Sequence, residues 1–276
     1  MHSFVIVLYG QKIEESPTYI SLVKLVNSAK IKATLFIWDN SATRLHDEKI
    51  KSASKYLKIH YFYKGHNVNL SNIYNKLLPL AYETSDIVTI LDQDSELPLN
   101  FFASINENVN DTLLVPRVIS NVSGEMISPR YQNYTHYLNK CNIQNIPKDC
   151  LCGYYNSHQF FAVASGLTIP KKVWETGPDF RSCLSFYGVD TEYCYDYSQV
   201  KSKFYLLNAC IYHDASNESE ESYRMFKWRL EKYHEHWLFQ LVNRAGWNEE
   251  FSRYYASFFN NYYLFKNKIK RIVRNH

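Results

Sequence analysis

Apolar positions along the first hundred residues alternate between two periods. SFVIVLYG (3–10), ATLFIWDNS (33–41), LKIHYFYK (57–64) and DIVTILDQDS (86–95) are short runs rich in β-branched and aromatic residues, and they read as strands. Between them, SPTYISLVKLVNSA (16–29) places Leu22, Leu25 and Val26 on one helical face, with Ser16 as N-cap and Pro17 at the first helical position. LSNIYNKLLPLAYET (70–84) also reads as a helix. Strands alternating with helices imply a parallel sheet covered by helices on its faces. In such sheets ligands lie beyond the carboxyl ends of the strands. Here those ends carry Tyr9, Gly10, Asp39, Asn40, Asp92 and Asp94.

Further along, TLLVPRVIS (112–120) is another strand, and 120–160 reads as an irregular, Tyr/Asn-rich lid or acceptor loop outside the sheet. FFAVASGLTIPKKVWETG (160–177) gives strand, turn and short helix. FYGVDTEYCYDYSQ (186–199) starts a helix with Asp190 near its N-terminus, and KFYLLNACIYHDAS (203–216) is a strand reaching His213 and Asp214. From Glu221 onward the pattern is helical. With no internal repeat or linker, the chain divides into a domain over 1–215 and a C-terminal helical extension over 216–276.

Composition narrows the function classes. At 276 residues, 46% hydrophobic and 21% charged, the chain can build a large core and is not disordered by composition. A net charge of +4 without a concentrated basic stripe argues against a nucleic-acid partner. The six cysteines include no C-x-x-C pair, so they read as free thiols in a reducing, cytoplasmic compartment. The sequons at Asn121 and Asn133 then carry no glycan. The apolar N-terminal run is too short for a signal peptide and lacks a basic flank, and no run approaches the ~18 residues of a membrane span. The last stretch, YYLFKNKIKRIVRNH (262–276), mixes aromatics with five bases and no acid. It reads either as an ordinary solvated helix or as one that lies on the anionic cytoplasmic face of the inner membrane.

The chemistry concentrates in ILDQDSE (90–96), where three acids follow a buried run at alternate positions. Hard cations such as Mg²⁺ and Mn²⁺ take oxygen ligands, using one or two carboxylates plus the phosphates of a substrate. The simpler alternative is a polar loop after a strand. Asp39 reads as a turn cap with Asn40 and Ser41, or as a ligand contact. Asp190 reads as an N-terminal acid favoured by the helix dipole, or as a reactive carboxylate. His213 is a core histidine or a ligand. Asn67 and Asn75 are a loop residue and an exposed helical residue, or part of a site. Cys152 and His158 make poor zinc ligands at their spacing.

Taken in order, these segments resemble the family 2 glycosyltransferases of the GT-A fold, and most closely their bacterial rhamnosyltransferase-like branch, whose motif L-D-Q-D-S stands here at 91–95. IWDNSA (37–42), GHNVNLSNIYNKLLPLA (65–81), SGLTIPKKVWETGPDF (165–180), YGVDTEYCYD (187–196) and YHDAS (212–216) resemble the family's other segments, over about residues 3 to 240. The resemblance implies a Rossmann-like, mostly parallel sheet flanked by helices, and an inverting transfer that uses Mn²⁺ or Mg²⁺. The donor it implies is dTDP-rhamnose or a UDP-hexose, and the acceptor a glycan or lipid-linked glycan of the bacterial surface, such as O-antigen, lipopolysaccharide or capsule. By the same resemblance Asp39 contacts the nucleobase with Tyr9 nearby. Asn75, Asp92 and Gln93 complete the nucleotide site, Asp94 and His213 bind the metal, Asp190 is the general base, and Glu192 shapes the acceptor site. Glu96 falls outside the site.

Three departures stand out. Asp196 occupies the position where the family's D-x-E-x-C-x-R motif carries Arg, so a cation must be supplied from elsewhere or lost. FKWRLEKYHEHW (226–237) replaces an Arg-rich segment and offers Lys227, Arg229, Lys232, His234 and His236 as candidates for the diphosphate. The Q-x-x-R-W motif of processive synthases is absent. A catalytically silent GT-A-like module that binds glycans or partner proteins stays open on the strength of Asp196. A nucleotidyltransferase would want a Gly-rich basic loop where LYGQKIEESP (8–17) stands.

Overall fold

The computed structural model describes all residues except 48–49, 106–109, 133–142, 148, 214–221 and 275–276. Strands β1 (His2–Leu8), β2 (Ala33–Asp39), β3 (Leu57–Tyr63) and β4 (Ile87–Leu91) form one half of the main sheet. Helices α1 (Pro17–Ala29) and α2 (Leu70–Tyr82) lie between them in sequence. The chain continues through β5 (Ser95–Glu96), α3 (Phe101–Ser104), β6 (Leu114–Ser120), β7 (Met126–Ser128), β8 (Arg130–Gln132), β9 (Ile143–Asn145), β10 (Gly153–Asn156), β11 (Phe160–Phe161) and β12 (Thr168–Pro170). Helices α4 (Lys171–Thr176) and α5 (Val189–Val200), strand β13 (Lys203–His213), and helices α6 (Tyr223–Asn243) and α7 (Glu249–Arg274) complete it.

The main sheet runs β10-β13-β6-β12-β4-β1-β2-β3. β4, β1, β2 and β3 are mutually parallel, and β6 is parallel to β13. β12 is antiparallel to both β4 and β6, so the two halves point the same way. This is the expected α/β class, a mostly parallel central sheet flanked by helices with a helical C-terminal extension. The boundary drawn at 215/216 lies outside the described residues.

Successive strand side chains point to opposite faces of a sheet, so β1 serves two cores. Phe4, Ile6 and Leu8 pack with Leu22, Leu25 and Val26 of α1, all fully buried. Val5 packs on the other face, in the core that holds Leu77 and Leu78 of α2 and Tyr193 and Tyr197 of α5. Both faces are covered, which is why these strands read as near-continuous apolar runs.

One expectation is corrected. Residues 120–160 are not free of sheet: β7 pairs with β6, β10 extends the main sheet beyond β13, and β8 joins β9 and β11 in a small second sheet. These pairings are short, two to four residues each. They leave no run long enough to show a period in the sequence. Asn133, Cys141 and Asp214 lie outside the described residues. Cys150, Cys152, Cys183, Cys194 and Cys210 are free thiols.

Candidate active site

Because β1, β2, β4, β6 and β13 point one way, Leu8, Asp39, Leu91, Ser120 and His213 end on one edge of the sheet. The antiparallel β12 starts on that same edge, which puts Ser165 there as well. The turn after β4 is held by the first turn of α1. The Ser16 hydroxyl donates to the Gln93 carbonyl at 2.5 Å and accepts from the Tyr19 amide at 3.3 Å, so the N-cap also anchors the turn. The Thr18 hydroxyl donates to the Asp92 carbonyl at 2.5 Å and accepts from the Ser95 amide at 2.7 Å.

Asp92, Asp94 and His213 each offer one ligand atom, all within 4.8 Å of one another, and they form the metal-capable cluster among the described residues. Cys152 and His158 contribute to none. His213 Nδ1 lies 3.2 Å from Asp94 Oδ1, 3.4 Å from Ser165 Oγ and 3.5 Å from Ser95 Oγ. Asp94 Oδ1 is buried and meets no hydrogen-bond donor in good geometry. The Ser165 hydroxyl donates a short hydrogen bond to Asp92 Oδ2. Burial pushes the Asp92 carboxyl above its ordinary value, and Asp94 and Asp190 push it the same way against the pull of His213 and Ser165. Two crowded carboxylates and an imidazole, all within ligand distance of one another, fit a divalent cation, which would supply positive charge between the acids.

Asp190 sits in the first turn of α5. Its Oδ1 accepts from the Thr191 amide at 2.8 Å and its Oδ2 from the Ala164 amide at 3.1 Å. Ala164 and Ser165 are consecutive, so one short segment ties Asp190 to Asp92. Burial raises the Asp190 carboxyl above its ordinary value, and its backbone hydrogen bonds only partly offset this.

Glu192 was expected to shape an acceptor site beside Asp190. Instead it is fully buried and accepts from His236 Nε2 at 3.0 Å, Gln240 Nε2 at 3.3 Å, and Arg244 Nε and Nη2 at 2.9 and 2.7 Å. Two residues along a helix turn a side chain by about 200°, so Glu192 cannot share the face of Asp190. Asp196, one turn on from Glu192, takes a two-pronged ion pair from Arg181 at 2.6 and 2.7 Å and another hydrogen bond from Arg244 at 3.1 Å. The charge at this position is inverted relative to the motif, and Arg181 and Arg244 bring the cations to it. Arg244 also lies over the Tyr195 ring, 3.6 Å from its centroid. Of the cations proposed for a diphosphate, His236 is committed to Glu192, Lys232 pairs with Glu235 at 2.5 Å and Lys227 with Glu231 at 3.9 Å.

The remaining residues assigned to a nucleotide site each have protein partners. Asp39 has no exposed surface, and its carboxylate accepts from the Ser41 amide at 3.0 Å, the Leu45 amide at 3.4 Å and the Tyr61 hydroxyl at 2.6 Å. Burial alone would raise it, but these hydrogen bonds outweigh that and hold it below its ordinary value. These are the contacts that the turn-cap reading calls for. Gln93 Oε1 accepts from the Tyr9 amide at 2.8 Å, which ties the ends of β1 and β4 together, while the Tyr9 side chain stays exposed. Both ends of the Asn75 amide bond the Phe180 backbone, at 2.7 and 3.0 Å, so Asn75 fastens α2 to the segment before α5. Asn67 Oδ1 accepts from the Asn40 side-chain Nδ2 at 2.7 Å. Sequence reading gave no role to Ser16 as a turn anchor, nor to Thr18, Ser165, Arg181 or Arg244. Ser165 lay in a segment that carries the family resemblance, and Ser16 and Thr18 lay in the stretch read as the start of a helix.

This mostly parallel α/β sheet gathers two carboxylates, an imidazole and a third, buried carboxylate on its carboxyl edge, which is where sheets of this kind place their ligands. Among solved structures, the chain is similar to the S. aureus TarS 1-349 fragment in complex with UDP-GlcNAc, at 12% identity over 91% of this chain and 69% of that one, with a TM-score of 0.47. It is similar to the same fragment in complex with UDP at 14% identity over 91% and 68%, with a TM-score of 0.48. No family model matches the chain, and no curated protein matches it. Likenesses at this level leave the chemistry to be argued from the residues of this chain.

Proposed function

We propose that this chain is a metal-dependent, inverting glycosyltransferase of the GT-A type. It moves a sugar from a nucleoside-diphosphate donor to a hydroxyl of a bacterial surface glycan such as O-antigen, lipopolysaccharide or capsule. The observation that carries the reading is the pairing of the Asp92–Asp94–His213 cluster with the buried Asp190, joined through Ala164 and Ser165 at the carboxyl edge of the sheet. The order of motifs along the chain supports it independently.

Asp94, Asp92 and His213 would hold Mn²⁺ or Mg²⁺, whose chemistry is to neutralise charge on a leaving nucleoside diphosphate. Ser165 fixes the Asp92 carboxylate, and the Ser16 and Thr18 hydroxyls fix the turn that bears both acids. Asp190 is the general base. An acceptor hydroxyl has a pKa far above neutrality, and a carboxylate raised by burial takes its proton better than an ordinary one. Attack by that hydroxyl in a single displacement inverts the anomeric carbon. dTDP-rhamnose is the first donor to test and UDP-hexoses the next. Asp196, which kept a silent module in view, is accounted for by its ion pairs with Arg181 and Arg244.

The test is slow hydrolysis or transfer from a panel of UDP- and dTDP-sugars, with and without Mn²⁺ or Mg²⁺. Turnover is expected to need the metal and to disappear in Asp94→Ala. A chain that neither binds nor turns over any nucleotide sugar in the presence of metal, with a natural acceptor extract supplied, is not this enzyme.

A further inference from the structure

α7 packs on α6 along one face only. Ser252 and Ala256 are fully buried there, and Tyr263 meets Trp237 with ring centroids 6.0 Å apart. On the opposite face Tyr254, Phe258, Tyr262, Phe265, Ile269 and Ile272 recur at steps of three and four residues, so they form one stripe along the helix. All six are exposed, from 45% for Ile269 to 79% for Tyr254. At 1.5 Å per residue the stripe is about 27 Å long. A contiguous apolar face of this kind on a folded protein marks a contact with something else.

The charges along the helix say what that contact is. From Tyr254 onward the sequence has Lys266, Lys268, Lys270, Arg271 and Arg274 and no acid. At 3.6 residues per turn Lys266 and Lys268 fall on either side of the stripe. No helix among the described residues is long and apolar enough to cross a membrane. We propose that this face of α7 lies flat on an anionic bilayer surface, with its aromatic and aliphatic side chains below the headgroups and Lys266 and Lys268 against lipid phosphates. Tyr254 and Tyr262 suit that depth, since each has an apolar ring and a hydroxyl that wants water. A second copy of the chain fits less well. Parallel pairing would set the basic halves side by side. Antiparallel pairing would have only Glu249 and Glu250 to offer, and Glu249 is held by Arg253 at 2.6 Å.

Vesicle co-sedimentation tests this without reference to catalysis. The protein is expected to pellet with phosphatidylcholine vesicles that contain phosphatidylglycerol, and far less with phosphatidylcholine alone. Binding should weaken as salt is raised, because salt screens the phosphate contacts. Lys266→Gln with Lys268→Gln should weaken it about 25-fold, at roughly fivefold per basic residue. Phe258→Ser with Phe265→Ser should abolish it while the circular dichroism of the helices is unchanged, since neither ring is part of the core. Failure to pellet with the anionic vesicles overturns the proposal, and so does binding that survives loss of both phenylalanines. A dimer by light scattering that this Phe pair converts to monomer, with no vesicle binding by either form, assigns the stripe to a second copy instead.

Discussion

Removing the Arg244 side chain should unseat α6 from α5. Glu192 is fully buried and Arg244 is only 10% exposed, and they share two hydrogen bonds at 2.7 and 2.9 Å. Arg244 also holds Asp196 at 3.1 Å and covers the Tyr195 ring. In Arg244→Met the volume is largely kept and the charge is lost, which leaves Glu192 with His236 and Gln240 alone. Stripping one partner from a buried ion pair costs about 3–5 kcal/mol, because a charge is left in a poor solvent. For a chain of this size each kcal/mol moves the melting temperature by about 2–4 °C, so the shift should be on the order of 10 °C. Thermal melts followed by circular dichroism at neutral pH measure it. Adding Glu192→Gln should recover part of the loss, since the unpaired charge is then gone.

The pH dependence gives a second check on Glu192. Burial alone would raise its pKa, but His236 and Arg244 outweigh this and hold it below its ordinary value of 4.5. A carboxyl depressed on folding contributes stability that is present above its unfolded pKa and lost as pH falls through its folded one. The gap between wild type and Arg244→Met should therefore close as the pH drops below 4.5. A neutral-pH shift under about 2 °C, well short of the cost of an unpaired buried charge, would refute the reasoning. So would a gap that persists in acid.

Two further outcomes follow from the site. Asp190 is raised above its ordinary 3.8 by burial, so a rate that needs it ionised should fall on the acid side at a pH higher than 3.8. Asp190→Ala should lower kcat by about 10²–10⁴ and remove that limb while nucleotide affinity holds. Full activity in the variant excludes Asp190 as the base. Gly166, next to Ser165, has φ +86°, and a Cβ there would lie 2.3 Å from Ile211 Cδ1 and 2.6 Å from Pro116 Cγ. Gly166→Ala combines backbone strain with overpacking and should cost about 2–4 kcal/mol in a urea titration. A loss under about 1 kcal/mol means that Ile211 and Pro116 yield to the added methyl.

Much of the architecture was written locally. Strands β1 to β4 and helices α1 and α2 follow from apolar period, and Ser16 and Pro17 mark the start of α1. α2 forms with Pro79 inside it because Leu77, Leu78 and Ala81 are fully buried against the sheet, and packing outweighs the lost hydrogen bond. The small sheet of β8, β9 and β11 left no such trace, since its strands are only two or three residues long, too short to show a period.

The site divides along the same line. Sequence alone determined which groups the chain offers, namely Asp92 and Asp94 after an apolar strand, Asp190 at a helix start and His213 at a strand end. These depend on elements whose ends are local features. Tertiary structure decided which of them meet. Parallel strand direction and the reversed β12 bring His213, Ser165 and Asp190 to the acids that follow β4, about 70 to 120 residues away in sequence, and such contacts leave no periodic signal in a single chain. It also decided what the other polar residues hold. Asp39, Asn75, Gln93 and Glu192 look as reactive as Asp94 on paper, and each meets protein partners that no local pattern announces: Asp39 the Ser41 and Leu45 amides and the Tyr61 hydroxyl, Gln93 the Tyr9 amide, Asn75 the Phe180 backbone, and Glu192 its ion partners, because folding matches polar groups where tertiary packing leaves them.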